Sequence, residues 1–514
     1  IRDQPRSRGL GDVYKRQAVQ KSPNKPNVLF ILVDDLGWKD LGCYGSSFYE
    51  TPNIDLLASQ SYRFTNAYSS NPVCSPTRAS IMTGKHPSRI GITDWITPEN
   101  PPSELWNKLR KNQKLIQPKN KHALPLEEFT MAEALQTAGY PTFYAGKWHL
   151  GDEGFLPQDQ GFEINKGGHI KGSPPGGYYT PYNNPQLEDG PKGEYLTDRL
   201  TDESIAFMEQ NKENPFFLYL AFYTVHTPIQ ANLKYLEKFK QKRRLLKDSL
   251  PIKVKEQKGY TVLNQYNASY ASMVYALDQN VGRLINKLKT FNLLENTLII
   301  FTSDNGGLST LIGKTVYGRS APTSVLPLRA GKGWAYEGGI RVPLIIKPPN
   351  NFQAKTIDAP ANSMDYYPTV LDYTGIGLNP DQHIDGISLK PLLDGETSVT
   401  HKQLIWDFPH YHGSGWTPVR AIRKGPWKLI YFFENHIYEL YNLDNDIGER
   451  NNLTAIYPEK FEEMKKLLNV WSEEIKAKKP IMIDKTAAII PYEKSKNTGP
   501  PEIKKKMNKK AIKG

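Results

Sequence analysis

The chain has 514 residues, of which 38% are apolar and 23% charged, and it contains two cysteines. This length and composition fit one large catalytic domain, with or without a smaller one, and exclude wholesale disorder. Two cysteines exclude a disulfide scaffold and a cysteine-rich zinc site. No stretch reaches the ~18 consecutive apolar residues of a membrane-spanning helix, so we predict no membrane span.

The formal net charge of +13 is concentrated in three short stretches. Residues 1–17 carry five basic and two acidic residues, residues 232–258 carry ten and three, and residues 501–514 carry six and one. The remaining chain is near neutral, so we predict no nucleic-acid partner. We interpret the three stretches as solvated charge, with attraction to a polyanionic substrate as the alternative.

The two ends of the chain have little structural patterning. Residues 1–17 have no initiator Met and no apolar run after their arginines, and their last seven residues, GDVYKRQ, resemble translated adaptor sequence. We therefore predict that residues 1–25 are a non-native or disordered N-terminal segment that hides the native N-terminus. Residues 479–514 are rich in Lys and Pro and predict a basic extended tail.

Between the ends, strand and helix patterns alternate. The continuous apolar run Val28–Val33 is typical of a buried central strand in a parallel sheet. Further strands are predicted at Phe216–Ala221, Leu298–Thr302 and Val342–Ile346, and helices at Thr130–Ala138, Thr197–Gln210 and Tyr270–Leu288. This alternation predicts an α/β catalytic domain over residues 26–395, with a large, mostly parallel or mixed sheet between layers of helices.

After residue 395 the strand-like runs become short and closely spaced. They are Leu404–Asp407, Arg420–Arg423, Trp427–Phe433 and Ile437–Leu443, and the amphipathic pattern Pro458–Ile475 follows them. This spacing predicts a smaller C-terminal subdomain over residues 396–478, built from an antiparallel sheet and one helix.

Acidic and amide side chains follow two of the predicted strands. Asp34 and Asp35 come after the first, and Asp304 and Asn305 after Leu298–Thr302. Ligands of open α/β sheets bind at the carboxyl ends of strands, and converging carboxylates repel unless a cation lies between them. Oxygen ligands favour Ca²⁺ or Mg²⁺ over zinc. A single acidic pair, however, is also typical of a cap or turn.

The segment Asn71–Lys85 contains Cys-Ser-Pro-Thr-Arg followed by Thr-Gly-Lys. Pro76 near the first helical position predicts that Cys74 lies at a helix entry, where backbone N–H groups and the helix dipole favour an anion. Arg78 adds a positive charge one turn further on. A buried structural thiol would not explain the Pro, the Arg and the Thr-Gly-Lys together.

This segment resembles the signature of type I sulfatases of the alkaline phosphatase superfamily, which directs oxidation of the Cys to Cα-formylglycine. Thr77 and Lys85 replace the more usual Ser and Arg. Further similar segments follow in family order, over about residues 26–453: Gly146–Gly151, Tyr223–Pro228, Asp304–Gly306 and Gly331–Pro343. The resemblance implies sulfate-ester hydrolysis, a formylglycine-generating maturation enzyme as a partner, and a periplasmic or extracellular location.

The resemblance also implies the roles of individual residues. It assigns the ligands of Ca²⁺, or of Mg²⁺ as the alternative, to Asp34, Asp35, Asp304, Asn305 and the formylglycine formed from Cys74. It assigns neutralisation of the sulfate charge to Arg78, Lys147 and Lys332. The hydrated formylglycine at position 74 is a gem-diol. One of its oxygens attacks sulfur, and Asp304 helps to deprotonate that hydroxyl. His226, helped by Lys332, protonates the leaving alcohol, and His149 then takes the proton from the second hydroxyl.

The substrate contacts are predicted from two polar, aromatic segments. Trp406–Pro418 resembles a segment of bacterial sulfatases that act on polysaccharides, although an ordinary packing loop would also explain its composition. The Gly- and Pro-rich loop Lys166–Tyr182, which includes Lys171, predicts another wall of the pocket. The predicted substrate-binding residues are His169, His410, His412 and Arg420. Together they favour a sulfated carbohydrate substrate and an exo-acting enzyme on a galactose- or N-acetylgalactosamine-type residue.

Two other functions are weighed against this hypothesis. A related phosphonate monoester or phosphodiester hydrolase could share the formylglycine nucleophile. A non-catalytic glycan-binding relative would be expected to have lost Cys74 or the metal ligands, and the sequence retains both.

Overall fold

The computed structural model describes residues 25–97, 113–312, 320–396 and 400–483. The predicted N-terminal segment, apart from residue 25, and residues 484–514 of the predicted tail lie outside these ranges. Within the tail, Ile481–Met482 pairs with Leu115–Ile116 as a short antiparallel ladder. Over the described ranges, every helix is too short or too polar to cross a membrane.

The secondary structure alternates between strands and helices through the first 350 residues. The strands are β1 (Asn27–Val33), β2 (Tyr62–Phe64), β3 (Ala67–Tyr68), β4 (Leu115–Ile116), β5 (Thr142–Gly146), β6 (Ile164–Lys166), β7 (Phe217–Phe222), β8 (Lys253–Glu256), β9 (Gly259–Val262), β10 (Thr297–Ser303), β11 (Thr310–Leu311), β12 (Leu344–Lys347), β13 (Lys355–Ile357), β14 (Ala361–Asn362), β15 (Leu404–Phe408), β16 (Val419–Lys424), β17 (Trp427–Phe432), β18 (Ile437–Asn442) and β19 (Ile481–Met482). The helices are α1 (Pro52–Ala58), α2 (Cys74–Thr83), α3 (Pro87–Ile90), α4 (Met131–Thr137), α5 (Leu196–Gln210), α6 (Leu233–Arg244), α7 (Ala268–Thr290), α8 (Glu337–Ile340), α9 (Tyr366–Thr374), α10 (Lys390–Leu393) and α11 (Pro458–Glu474).

The centre of the molecule is an eight-stranded mixed sheet in the order β13-β2-β12-β10-β1-β7-β5-β6. β1 is parallel to both β10 and β7, and β5 is parallel to β7. β12 runs antiparallel to β10, which makes the sheet mixed. All seven residues of β1 are buried, as expected for a strand covered on both faces. The predicted α/β fold class is confirmed.

The predicted elements are confirmed with shifted ends. α7 begins two residues before the prediction because the side chain of Asn267 accepts hydrogen bonds from the N–H groups of Ser269 and Tyr270. Its predicted apolar stripe is buried: Met273, Leu277, Val281, Leu284 and Leu288. β5 was not predicted, because its apolar run covers only Phe143, Tyr144 and Ala145.

The C-terminal part has the predicted four-stranded antiparallel sheet, in the order β15-β16-β17-β18. One face packs against α11 through Met464 and Leu468. The other face packs against an aromatic cluster that joins Trp416, from the loop before β16, to Trp334 of the preceding part. Buried Lys428 also bridges the two parts, since its Nζ lies 2.9 Å from Glu337. These contacts hold the loop before β16 against the end of the central sheet.

Candidate active site

Four neighbouring strands of the central sheet end at one edge and deliver polar side chains there. β1 is followed by Asp34 and Asp35, and β10 by Asp304 and Asn305. The turn after β7 carries His226, and the segment after β5 carries Lys147 and His149. Because these four strands are parallel, their carboxyl ends lie side by side, which is where α/β sheets bind ligands.

Helix α2 brings Cys74 to the same edge. The helix begins at Cys74 and ends at Thr83, and the C-cap residue Gly84 has the left-handed φ of 67° that glycine adopts readily. The Cys74 Sγ lies 3.2 Å from Nδ1 of His149. The His149 Nε2 lies 2.8 Å from the carbonyl oxygen of Ile96, which can only accept, so Nε2 carries the proton and Nδ1 is free to accept one from position 74. Burial, helped by Lys147, holds the pKa of His149 well below its usual value, so the ring is neutral.

Three buried carboxylates each face a cation. The Lys147 Nζ lies 2.9 and 2.8 Å from the two carboxylate oxygens of Asp34. The Lys332 Nζ lies 2.6 Å from Asp35 Oδ1. The guanidinium of Arg78 donates to Asp304 Oδ2 at 2.8 Å.

The pKa shifts of these carboxylates show an uneven charge balance. Burial raises the pKa of Asp34 well above its usual range, and the nearby Asp304 and Asp35 add to this effect despite Lys147. Burial acts in the same direction on Asp35, but Lys332 and His226 outweigh it and lower its pKa. Further positive charge at Asp34 would therefore stabilise its ionised form.

The residues present fit a hard divalent cation. Asp34, Asp35 and His226 each place one ligand atom within 4.8 Å of the others. Asn305 is fully buried, and within the described ranges no donor bonds to its Oδ1, although its Nδ2 donates to Asp35 at 2.8 Å. A buried amide oxygen without a donor is costly, and a cation would satisfy it. We infer that the carboxylates and the Asn305 amide would hold Ca²⁺ or Mg²⁺.

His226 is also held in one tautomer. Its Nδ1 lies 2.7 Å from the carbonyl oxygen of Thr227, so Nδ1 donates, and its Nε2 lies 3.8 Å from Asp35 Oδ2. Burial and the charge of Lys332 lower the pKa of His226 to about 3. The resting ring is therefore neutral, and its Nε2 carries no proton. A role as proton donor requires a second proton on the ring, which a bound anion would favour.

A cavity of about 420 Å³ opens above these groups. It is lined by Val73, Cys74, Trp95, Ile96, His149, Lys171, Gly172, Ser173, His226, Lys332 and His412. The prediction that the Gly- and Pro-rich loop 166–182 forms a wall is confirmed for residues 171–173.

His412 reaches the cavity from the C-terminal part. Its ring lies against Gly333, where an added Cβ would approach Nδ1 to 1.9 Å, and Gly333 has a left-handed φ of 81°. The backbone N–H of Ser414 donates to Nδ1 at 3.2 Å, so the Nε2 of the neutral ring carries the proton. Burial and Lys332 lower the pKa of His412 to about 3. The ring therefore offers one N–H donor to a ligand.

Arg78 and Lys147 are placed differently from the expectation for charge-neutralising residues. Both are buried, and among the described residues the cavity lining includes neither. Besides its bond to Asp304, Arg78 donates to the carbonyl oxygen of Lys147 at 2.6 Å. These two cations balance the carboxylates beneath the cavity, whereas Lys332 faces the cavity itself.

Three predicted substrate-binding residues lie outside the cavity lining. Arg420 is wrongly assigned: it lies on β16 and is buried against α11, where it pairs with Asp407 at 2.8 Å and donates to Ser472. His410 is buried behind the cavity wall, with Nε2 2.8 Å from the hydroxyl of Thr93. His169 contacts the site through its backbone: its carbonyl oxygen accepts a hydrogen bond from the backbone N–H of His149 at 3.0 Å.

The sequence reasoning missed the wall formed by Trp95 and Ile96. These residues follow α3 and belong to none of the recognised motifs. The neighbouring Asp94 has a pKa raised to about 8 by burial. The only sequence signal was an aromatic residue beside an acidic one, which is too common to indicate a binding site.

Comparisons with known proteins agree with this geometry. The Sulfatase family matches residues 26–376, and the family described as N-sulphoglucosamine sulphohydrolase, C-terminal, matches residues 330–478. A sulfatase of Formosa agariphila is 32% identical over 519 residues, covering 86% of this chain and 87% of its own. The N-acetylgalactosamine-6-sulfatase of Homo sapiens is 29% identical over 474 residues, covering 87% and 79%.

A solved structure is similar over the same extent. Ps i-CgsB in complex with k-i-k-neocarrahexaose has a TM-score of 0.69 and 29% sequence identity, and the match covers 87% of this chain and 93% of that one. The chain therefore belongs to the sulfatase family, as a type I sulfatase of the alkaline phosphatase superfamily, and is a sulfuric ester hydrolase.

Proposed function

We propose that the chain hydrolyses sulfate monoesters on a sulfated polysaccharide or oligosaccharide, acting from a chain end on a galactose- or N-acetylgalactosamine-type residue. One observation carries the proposal: Cys74, at the entry of α2, lies 3.2 Å from the unprotonated Nδ1 of His149 at the floor of the cavity. Two relatives support a carbohydrate, namely the N-acetylgalactosamine-6-sulfatase and Ps i-CgsB with its bound hexaose.

The cavity residues have distinct roles in this proposal. Hydrolysis breaks the ester so that the leaving oxygen gains a proton and the sulfur gains the oxygen of water. Lys332 donates N–H groups to the sulfate and supplies the proton to the leaving oxygen, helped by His226 when the bound anion has brought a second proton onto its ring. The hydrogen bond to Ile96 orients the ring of His149, and its Nδ1 accepts a proton from the group at position 74.

Two groups complete the site when present. Oxidation of Cys74 by a formylglycine-generating enzyme would supply an aldehyde hydrate as the nucleophile. A divalent cation, Ca²⁺ in preference to Mg²⁺, would polarise the sulfate oxygens. Asp34, Asp35, Asp304 and Asn305 would hold that cation. We place the protein in the periplasm or outside the cell, where sulfated polysaccharides are found.

The proposal is tested with protein produced together with a maturation enzyme. We expect turnover of galactose or N-acetylgalactosamine sulfates, and faster release from a terminal than from an internal sugar of an oligosaccharide. An aryl sulfate, a phosphodiester and a phosphonate monoester complete the panel. Faster turnover of a phosphodiester or phosphonate than of every sulfate would favour the alternative hydrolase. A glycan-binding relative without activity would bind the sugars and turn over none of the panel.

A further inference from the structure

Helix α6 and the connection that follows it carry much of the positive charge of the chain. Residues 232–258 contain ten basic and three acidic residues. Part of this charge is neutralised, since Lys238 and Lys242 both pair with Glu50. One acidic residue, Glu256, is buried and held by two arginines, Arg329 and Arg450, so it leaves no negative charge at the surface.

The hairpin of β8 and β9 presents cations that are not neutralised. Lys253 and Lys255 are exposed on alternate positions of β8 and so share one face. Among the described residues, no carboxylate lies within 4.0 Å of either lysine, whereas Lys258 in the turn of the hairpin pairs with Glu434 at 3.7 Å. Tyr260 pairs directly with Lys255 across the hairpin, and 44% of its surface is exposed. Two lysines beside an exposed aromatic ring suit a sugar polymer that carries negative charges, because the ring stacks on a sugar face and the ammonium groups attract the anions.

The hairpin is built onto the segments that form the active site. β9 pairs with β11, which lies five residues after Asn305. Gly259 packs against the loop that carries His412, since an added Cβ would lie 2.7 Å from the carbonyl oxygen of Ser414. The hairpin therefore adjoins the wall of the cavity.

We propose that the hairpin of β8 (Lys253–Glu256) and β9 (Gly259–Val262) is an auxiliary site for a sulfated polysaccharide. This site binds a stretch of the polymer outside the cavity. The inference rests on the proposed carbohydrate substrate and extends it from one sugar to a chain. The site holds the enzyme on the polymer by charge, so its affinity falls as ionic strength rises. An anionic membrane is the competing partner, because Leu245 and Leu250 of the same connection are exposed. The contact of the hairpin with the cavity wall favours the polysaccharide.

The test compares two pairs of charge reversals with the same change in net charge. The test pair is Lys253→Glu with Lys255→Glu. The control pair is Lys212→Glu with Lys289→Glu, since these exposed lysines lie just before β7 and at the end of α7, at the opposite edge of the sheet. Binding of dextran sulfate, with uncharged dextran as the blank, is measured at low ionic strength together with turnover of an aryl sulfate.

We expect the test pair to weaken dextran sulfate binding by about tenfold or more and the control pair by less than about twofold. Both should keep the wild-type kcat/KM for the aryl sulfate and the wild-type Tm. The neutral pair Lys253→Gln with Lys255→Gln should give an intermediate loss, which separates a charge effect from misfolding.

Other outcomes overturn the inference. Equal losses in the test and control pairs would mean that only net charge matters, and unchanged binding in the test pair would remove the hairpin from the contact. A further outcome is that the wild type binds vesicles of equal parts phosphatidylglycerol and phosphatidylcholine and not dextran sulfate. If the test pair loses that vesicle binding, the surface is assigned to a membrane.

Failure of the proposed function gives a different result. A wild-type protein that binds dextran sulfate through the hairpin but cleaves no sulfate ester would contradict the proposed function and leave this inference standing.

Discussion

The Sγ of Cys74 and the Nδ1 of His149 lie 3.2 Å apart, although 75 residues separate them in the chain. His149 is fixed in this position from two sides. Its Nε2 donates to the carbonyl oxygen of Ile96, and its backbone N–H donates to that of His169. The ring can therefore only accept a proton from position 74, which is the property that a base at this position needs.

Modification of Cys74 is the first prediction. Protein produced with a maturation enzyme should show, in the peptide that contains residue 74, a loss of about 18 Da, or no net change if the aldehyde is hydrated. Cys74→Ala should abolish sulfatase turnover with an unchanged Tm. Cys43→Ala is the matched control and should keep full activity, because Cys43 lies near Asp55 and away from the cavity lining. Full activity of protein that carries unmodified Cys74 would refute the proposed chemistry.

Cation binding should stabilise the fold through Asn305. Adding Ca²⁺ to protein treated with a chelator should raise the Tm. At a free Ca²⁺ concentration a hundredfold above Kd, the unfolding free energy should rise by about 2.7 kcal/mol. Asn305→Ala removes the buried oxygen without a donor and should reduce this gain. Asn445→Ala, a surface substitution, should leave it unchanged. An equal calcium-dependent Tm gain in all three proteins would place the cation elsewhere.

His412 should affect binding of the sugar sulfate more than the chemical step. His412→Ala removes the Nε2–H donor and should raise KM about tenfold with a smaller change in kcat. Gly333→Ala should have a similar effect, because its Cβ would occupy the space of the His412 ring. His436→Ala, at an exposed histidine in the turn between β17 and β18, should leave both constants unchanged. A normal KM in His412→Ala would remove this residue from the substrate site.

Arg420 should contribute to stability and not to catalysis. Arg420→Met leaves Asp407 buried without its partner and should cost about 3 kcal/mol in unfolding free energy. The control is Lys424, which lies on the same strand as Arg420 and forms an exposed ion pair with Glu463 of α11. Lys424→Met should cost less than about 1 kcal/mol in unfolding free energy. Denaturant unfolding measures both. The KM of folded Arg420→Met should equal that of the wild type, and a raised KM would restore the substrate role that the sequence predicted.

The stability of the fold should depend on pH through His401. Its Nε2 lies 2.8 and 2.9 Å from the two oxygens of Asp365. Burial opposes the charged form, but Asp365 outweighs burial and raises the pKa of His401. The ion pair therefore stabilises the fold fully below about pH 6.5, the usual value for histidine, and this contribution is lost as the pH rises through the raised pKa. The Tm difference between wild type and His401→Gln should be larger at pH 5.5 than at pH 8.5. A difference that grows with pH would contradict this assignment.

Much of the site could be predicted from the sequence because strand ends and motifs are local features. The apolar run before Asp34 identifies a central strand, and a parallel neighbour places Asp304 beside it. The Pro76 position likewise predicts the helix entry at Cys74. These inferences need only the geometry of parallel strands and of helix termini, which does not depend on distant side chains.

The direction of each side chain depended instead on contacts between distant segments. Lys147 and Lys332 both follow a glycine in recognised motifs, yet Lys147 is buried on Asp34 and Lys332 faces the cavity. Arg420 points at α11 because β16 packs that face against the helix. A sequence pattern places a residue on an element, but the packing of that element against others determines which neighbours its side chain meets. For the cations of this chain, that packing separated those that line the substrate cavity from those that balance buried charge.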